Sequence, residues 1–129
     1  MSTQFTGKYV SLTTFRRDGT PVSTPVWFVA DKGSLLVETD GSSYKVKRIR
    51  RNDNVTVAPC NATGRVAGDA VAAHAAILPA AELPRVERLL HWKYRLDYIF
   101  VLPVYLLVQR LRGRPTRHED PVVLAITPT

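Results

Sequence analysis

Short β-rich runs, each closed by a turn signal, constrain the fold of this chain more than any other feature. Lys8 to Phe15 (KYVSLTTF) is rich in β-branched and aromatic residues and ends at Arg16-Arg17-Asp18-Gly19, where Asp-Gly is a strong hairpin signal. Thr20 to Ala30 (TPVSTPVWFVA) is the returning strand, and Pro21 and Pro25 confine it to an edge or a bulge. Asp31-Lys32-Gly33 is a second tight turn, followed by Ser34 to Thr39 (SLLVET), a third strand with an almost continuous apolar run. These three predict an antiparallel meander. The alternating valines of Val55 to Cys60 (VTVAPC) predict a fourth strand with one buried face.

Between strands three and four lies Thr39 to Arg51, TDGSSYKVKRIRR, in which five of the seven residues from Lys45 to Arg51 are basic. Tyr44 to Arg51 reads as a short helix stopped by Asn52-Asp53-Asn54. At about 100° per residue Val46 and Ile49 share its inward side, Lys45, Arg48 and Asn52 one flank, and Lys47 and Arg51 the other. A helix start offers unpaired N–H groups and a partial positive charge to an anion. Ser42 and Ser43 can cap the helix and also donate hydroxyls to phosphate oxygens.

Asp69 to Leu78 (DAVAAHAAIL) fits a helix by its alanines and a strand by its position and the Pro79 stop; we read it as a strand. Ala80 to Arg95 is an amphipathic helix with Leu83, Val86, Leu89 and Leu90 at helical spacing. A second helix, Phe100 to Leu111, is bent or interrupted at Pro103, so a helical segment of about 80–112 precedes the last strand, Pro121 to Ile126. About six strands with short helices and no βαβ rhythm predict a mainly β fold, closed as an antiparallel barrel that leaves no exposed edges. The 129 residues form one domain, 1–129, with 45% hydrophobic residues to build its core.

The net charge of +7 and pI near 10.0 favour anionic partners, with the basic residues gathered at Lys45–Arg51, Arg85–Arg95 and Arg110–Arg117. Cys60 is the single cysteine, which excludes an intrachain disulfide and a cysteine-based zinc cage and fits a reducing, cytoplasmic setting. The N-terminal MSTQFTGKYV lacks the apolar core of a signal peptide. Tyr98 to Val108, the most apolar run, has 11 residues and contains Pro103, whereas a spanning helix needs roughly 20. Contact with an acidic membrane surface is compatible with the charge; a transmembrane segment is not.

Nothing in the chain builds a nucleophilic centre or a metal cluster. There is no G-x-S-x-G elbow, no paired carboxylates, and His74, His91 and His118 are too scattered for a metal site. No protein side chain is therefore expected to be catalytic by itself, and a bound cofactor would carry any reaction. The chain also lacks a recognition-helix motif, an aromatic strand pair or zinc fingers, so the basic clusters do not imply a specific nucleic-acid site.

The pattern Thr39-x-x-x-Ser43-x-Lys45 after the apolar strand LLVE resembles the flavin-phosphate motif of the pyridoxamine 5′-phosphate oxidase-like split barrels. More narrowly, D-G-T-P-x-x-T-P-V-W, K-V-K-R-I-R-R-N, V-x-A-P-C, W-K-Y and L-R-G-R, in that order, resemble the branch that uses the deazaflavin coenzyme F-420. The resemblance implies a split β-barrel of the FMN-binding type, homodimeric, with each cofactor between the subunits. In it Ser23, Thr24, Pro25, Val26, Trp27 and Phe28 would line the isoalloxazine-like ring, and Glu38 and Thr39 would approach the ring and ribityl chain. Ser43, Tyr44, Lys45 and Arg48 would hold the phosphate, with Lys47 or Arg51 reaching the oligoglutamate tail or a partner subunit. Pro59 and Cys60 would sit under the cofactor, and Trp92, Lys93 and Tyr94 would come from the second subunit. The implied activity is hydride transfer from reduced F-420 to a small unsaturated or quinone-like acceptor. The alternatives are FMN on the same fold, a non-catalytic flavin or deazaflavin carrier, and a basic nucleic-acid-binding module. The unusually apolar Tyr98–Val108 points to an apolar substrate, a tighter dimer or docking on a membrane surface.

Overall fold

The computed structural model describes residues 5, 7–95, 107 and 120–129. Its strands are β1 (Tyr9–Phe15), β2 (Pro21–Trp27), β3 (Val29–Asp31), β4 (Ser34–Asp40), β5 (Asn54–Cys60), β6 (Val71–Ile77) and β7 (Pro121–Pro128). Two helices, α1 (Tyr44–Arg51) and α2 (Leu83–Lys93), interrupt them. All seven strands belong to one antiparallel sheet in the order β2-β1-β5-β6-β7-β4-β3.

That order overturns the expected meander. The returning strand is two strands, broken at Phe28, and the hairpins β1–β2 and β3–β4 lie at opposite ends of the sheet. β2 and β3 are nevertheless joined by a single residue. A sheet whose first and last strands are one residue apart must curl to bring them together, so it forms a split half-barrel with its seam at Phe28. β2 and β3 are not paired with each other, and the expected closure without edges is not reached. The two prolines of β2 are tolerated because β2 pairs on one side alone, with β1.

The turns follow the sequence. Gly19 takes φ +87° at the tip of the first hairpin, where its N–H donates to the Arg16 carbonyl at 2.9 Å. Lys32 and Gly33, at φ 50° and +85°, form the two-residue turn with both central residues left-handed that antiparallel strands of native twist require. Asp69–Leu78 does contain a strand, β6. The second helix region begins with a 3-10 turn, Ala80–Glu82, and becomes α-helical at Leu83, where Pro84 supplies the fixed φ of a helix start. The helix expected over Phe100–Leu111 lies, apart from Leu107, outside the described residues.

Alternation along the strands separates two cores. Inside the barrel Val10, Leu12, Phe28, Leu35, Val37, Val55, Val57, Leu124 and Ile126 pack together, with Ile49 of α1 in the same cluster. Outside it, Val86, Leu90 and Tyr94 of the α2 region cover Leu36 and Val123, with Trp27 and Val29 packed alongside. Arg85 ties α2 to the sheet edge through Asp31 of β3 at 2.9 Å and also binds Glu82 at 3.0 Å. No helix among the described residues is long and apolar enough to cross a membrane.

Candidate functional site

Helix α1 is the centre of the site. Its hydrophobic pair Val46 and Ile49 is buried, which leaves the five basic side chains to the rim. Residues Asp40 to Ser43 form the approach from β4: Ser42 donates its N–H and hydroxyl to the Asp40 carboxylate at 3.0 and 2.8 Å, and Ser43 N–H donates to the Asp40 carbonyl. Gly41 packs closely here: a Cβ would stand 2.6 Å from the Asp120 carboxylate, which would have to shift.

Ser43 is the N-cap, yet its side chain makes no cap hydrogen bond. Its hydroxyl is buried and has no hydrogen-bond partner, a costly state for a polar group. The first-turn amides of Tyr44, Lys45 and Val46 have no acceptor within the helix. Lys45 reaches back to the hydroxyl of buried Thr39 at 3.4 Å. Burial, followed by the positive charge of Arg48, pushes the Lys45 ammonium below its ordinary pKa, while Asp40 pulls the other way. An orphan hydroxyl, a second hydroxyl, a desolvated cation and free helix N–H groups together fit a phosphate monoester. Of the residues expected from the sequence to hold a cofactor phosphate, Ser43 and Lys45 stand at this helix start beside Thr39, and Tyr44 turns away from it. Tyr44 is 75% exposed and lies under the Lys47 ammonium, 5.2 Å from its ring centroid.

Arg48 stands close enough to Lys45 for its charge to act on that ammonium. It turns to β1, donating from Nε to the Thr14 hydroxyl at 2.7 Å, and Arg51 donates to the Phe15 carbonyl at 2.8 Å. Arg48, Lys47, Arg51 and Tyr44 line a depression of about 510 Å³ together with Arg16 and Arg17 from the β1–β2 turn. Arg48 thus acts on the Lys45 charge and also reaches β1 through Thr14 and lines this depression. Arg16 and Arg17 line it although the sequence carries no sign of this, since there they are indistinguishable from solvated turn residues. None of these five cations is in an ion pair among the described residues.

The strand residues divide between two faces. Val26 and Phe28 join the barrel interior, whereas Trp27 joins the outer core beneath α2. By alternation Thr24 and Pro59 go with the interior, and Ser23, Pro25 and Cys60 with the outer face. Ser23 shares a 2.6 Å hydroxyl contact with Thr13. Burial raises the Cys60 thiol pKa, so it is not an activated thiolate. Thr39 and Glu38 likewise point to opposite faces. Burial and then the nearby Glu87 carboxylate raise the Glu38 pKa.

The W-K-Y residues divide as well. Trp92 is 71% exposed, with the Arg95 guanidinium 4.7 Å over its ring. Tyr94 is fully buried within the chain, stacked on Trp27 at 4.2 Å and bonded through its hydroxyl to the Phe28 N–H and the Lys8 carbonyl. Lys93 donates to the Phe28 carbonyl at 2.8 Å. Tyr94 and Lys93 therefore both contact the barrel seam of the chain that carries them. Among the described residues no three His, Cys, Asp or Glu side chains cluster as metal ligands.

The profile of the pyridoxamine 5′-phosphate oxidase family matches residues 6–128. The chain belongs to that family. The family comprises flavin-binding oxidoreductases, and its split barrel is the fold described above. Comparison with curated proteins returns no match. Among solved structures, the conserved hypothetical protein Rv2991 from Mycobacterium tuberculosis is similar at TM-score 0.65 and 20% identity, over 95% of this chain and 74% of that one. An F-420 reductase is similar at TM-score 0.50 and 20% identity, over 94% and 86% of the two chains. A FAD-binding protein from Mesorhizobium loti is similar at TM-score 0.56 and 12% identity, over 95% and 79%.

Proposed function

We propose that the protein is an oxidoreductase that binds reduced coenzyme F-420 and passes its hydride to a small unsaturated or quinone-like acceptor. It would act as a homodimer with a cofactor between the subunits. The observation that carries this reading is the buried, unpartnered Ser43 hydroxyl at the start of α1, beside Lys45 and Thr39. These groups, with the first-turn amides, would hold the cofactor phosphate. An anion there would favour the Lys45 charge that burial disfavours.

The cofactor supplies the hydride, and what the chain supplies is binding, orientation and exclusion of water. Arg16, Arg17, Lys47, Arg48 and Arg51 favour the deazaflavin over FMN, because a single phosphate does not need a second, wider basic depression whereas a polyanionic tail does. FMN remains the second reading, favoured by the Ser43–Lys45 locus, which suffices for one phosphate.

Fluorescence titration with F-420 and FMN side by side tests the choice, with the tighter binding expected for F-420. Lys45→Ala should weaken binding by about 1.5–3 kcal/mol, the range for charge-assisted hydrogen bonds. Unchanged affinity in that variant overturns the phosphate assignment. Tight binding without turnover on a panel of acceptors identifies a carrier. Failure to bind either cofactor, with salt-sensitive DNA binding instead, overturns the oxidoreductase reading.

A further inference from the structure

The β1–β2 ladder contains a side chain from elsewhere in the molecule. Its register runs from Phe15↔Pro21 to Tyr9↔Trp27, so the next pair in order is Lys8 with Phe28. The Tyr94 hydroxyl stands between these two, accepting from the Phe28 N–H at 3.0 Å and donating to the Lys8 carbonyl at 2.6 Å. A tyrosine hydroxyl has one proton, so it cannot also fully satisfy the Phe28 carbonyl, which lies 2.8 Å away. Lys93 meets that second need with its ammonium, 2.8 Å from the same carbonyl. Two consecutive residues at the end of α2 thus cover both backbone groups of a residue that is fully buried and has no strand partner on either side.

We infer that Tyr94 is a wedge in the β1–β2 ladder, a positioning residue that turns the chain out of β2 at Phe28 and so fixes where the Ser23–Phe28 segment stands. The distance from the Phe28 amide to the Lys8 carbonyl is set by an oxygen atom inserted between them. Strand β2 therefore stops pairing with β1 at Trp27, and the chain is free to enter β3 at the other end of the sheet. The stack of Trp27 on the Tyr94 ring, 4.2 Å apart with planes 4° from parallel, holds the same turn from its outer side. The consequence for a bound cofactor rests on the function proposed above; the wedge itself does not.

Tyr94→Phe removes the hydroxyl and keeps the ring and its stack. The expected result is a folded protein in which the Phe28 amide exchanges with solvent about tenfold faster, the size of one net hydrogen bond, while amides of β5 and β6 keep their rates. F-420 affinity should fall about tenfold, whereas affinity for inorganic phosphate at the Ser43–Lys45 locus should not change. A wild-type exchange rate at Phe28, or an equal acceleration of every amide, overturns the wedge. Unchanged F-420 affinity with altered Phe28 exchange overturns the positioning role. Should Tyr94→Phe fail to fold, the wild-type protein still decides: its Phe28 amide, bonded to the Tyr94 hydroxyl, should be protected to the same degree as the β1 amides, and exchange at the rate of an exposed amide overturns the wedge. Wild-type protein that binds neither F-420 nor FMN defeats the functional reading, and the Phe28 exchange rate still decides the wedge.

Discussion

Lys93 holds a charge where the surroundings resist one. Its ammonium lies 3.4 Å from the centroid of the Phe28 ring and is half-buried against the seam, and burial lowers its pKa from 10.5 to about 8. The Phe28 carbonyl and the ring face both favour the charged form, so burial acts against two local attractions. The sign of the stability effect follows from the two pKa values. Below about 8 the lysine is protonated in both states, and the folded state bears the cost of burying the charge. Between about 8 and 10.5 the unfolded chain binds more protons, so folding becomes more favourable as pH rises. Urea unfolding of wild type and Lys93→Met at pH 7.5 and 9.5 should show the difference moving in favour of wild type at the higher pH. A difference that is the same at both values contradicts the lowered pKa. Nothing in the string W-K-Y foretells this. The sequence marks Lys93 and Tyr94 as notable but not as partners of Phe28, because the pairing spans 66 positions for Tyr94 and 65 for Lys93.

Helix α1 is an element whose existence the sequence announces and whose attachment it conceals. Val46 and Ile49 at helical spacing predict the buried side correctly, and Asn52 caps the end as read, donating its N–H to the Arg48 carbonyl at 2.8 Å. The strands too were legible wherever alternation and turn residues coincide, as from Tyr9 to Phe15 and from Asn54 to Cys60. The break at Phe28 was not, since Trp27-Phe28-Val29 continues an apolar run without Gly, Pro or a turn pair. The orientation of α1 depends on Arg48 meeting Thr14, a residue whose side chain is nearly fully buried. Thr14→Val removes the acceptor at constant shape and should destabilise the fold by about 1–2 kcal/mol in urea unfolding, near the lower end for hydrogen bonds to charged groups. Thr14→Ser should restore most of that loss, since it keeps the hydroxyl. A Thr14→Val protein as stable as wild type means that β1 does not hold the helix through this bond.

The charge of the whole molecule gains its meaning from where the barrel puts it. A net +7 spread over the surface would act as a general attraction for anions, but the fold brings the hairpin tip Arg16-Arg17 against α1 and concentrates five cations around one depression. Like charges in such proximity repel, and the described carboxylates do not offset them with ion pairs. The arrangement therefore costs stability in the free protein, a cost that the proposed polyanionic cofactor would offset on binding. Two measurements on Arg16→Ser/Arg17→Ser should accordingly move in opposite directions. At low ionic strength the double variant should unfold at a higher temperature than wild type, and the gain should shrink as salt screens the repulsion over a Debye length of about 10 Å at 0.1 M. Its affinity for F-420 should fall and lose part of its salt dependence, while FMN, with one phosphate to place at Ser43 and Lys45, should bind nearly as before. Equal losses for the two cofactors would assign Arg16 and Arg17 to the phosphate itself. A double variant unchanged in both stability and affinity would make the depression an ordinary solvated surface, and the preference for a polyanionic cofactor would lose its physical basis.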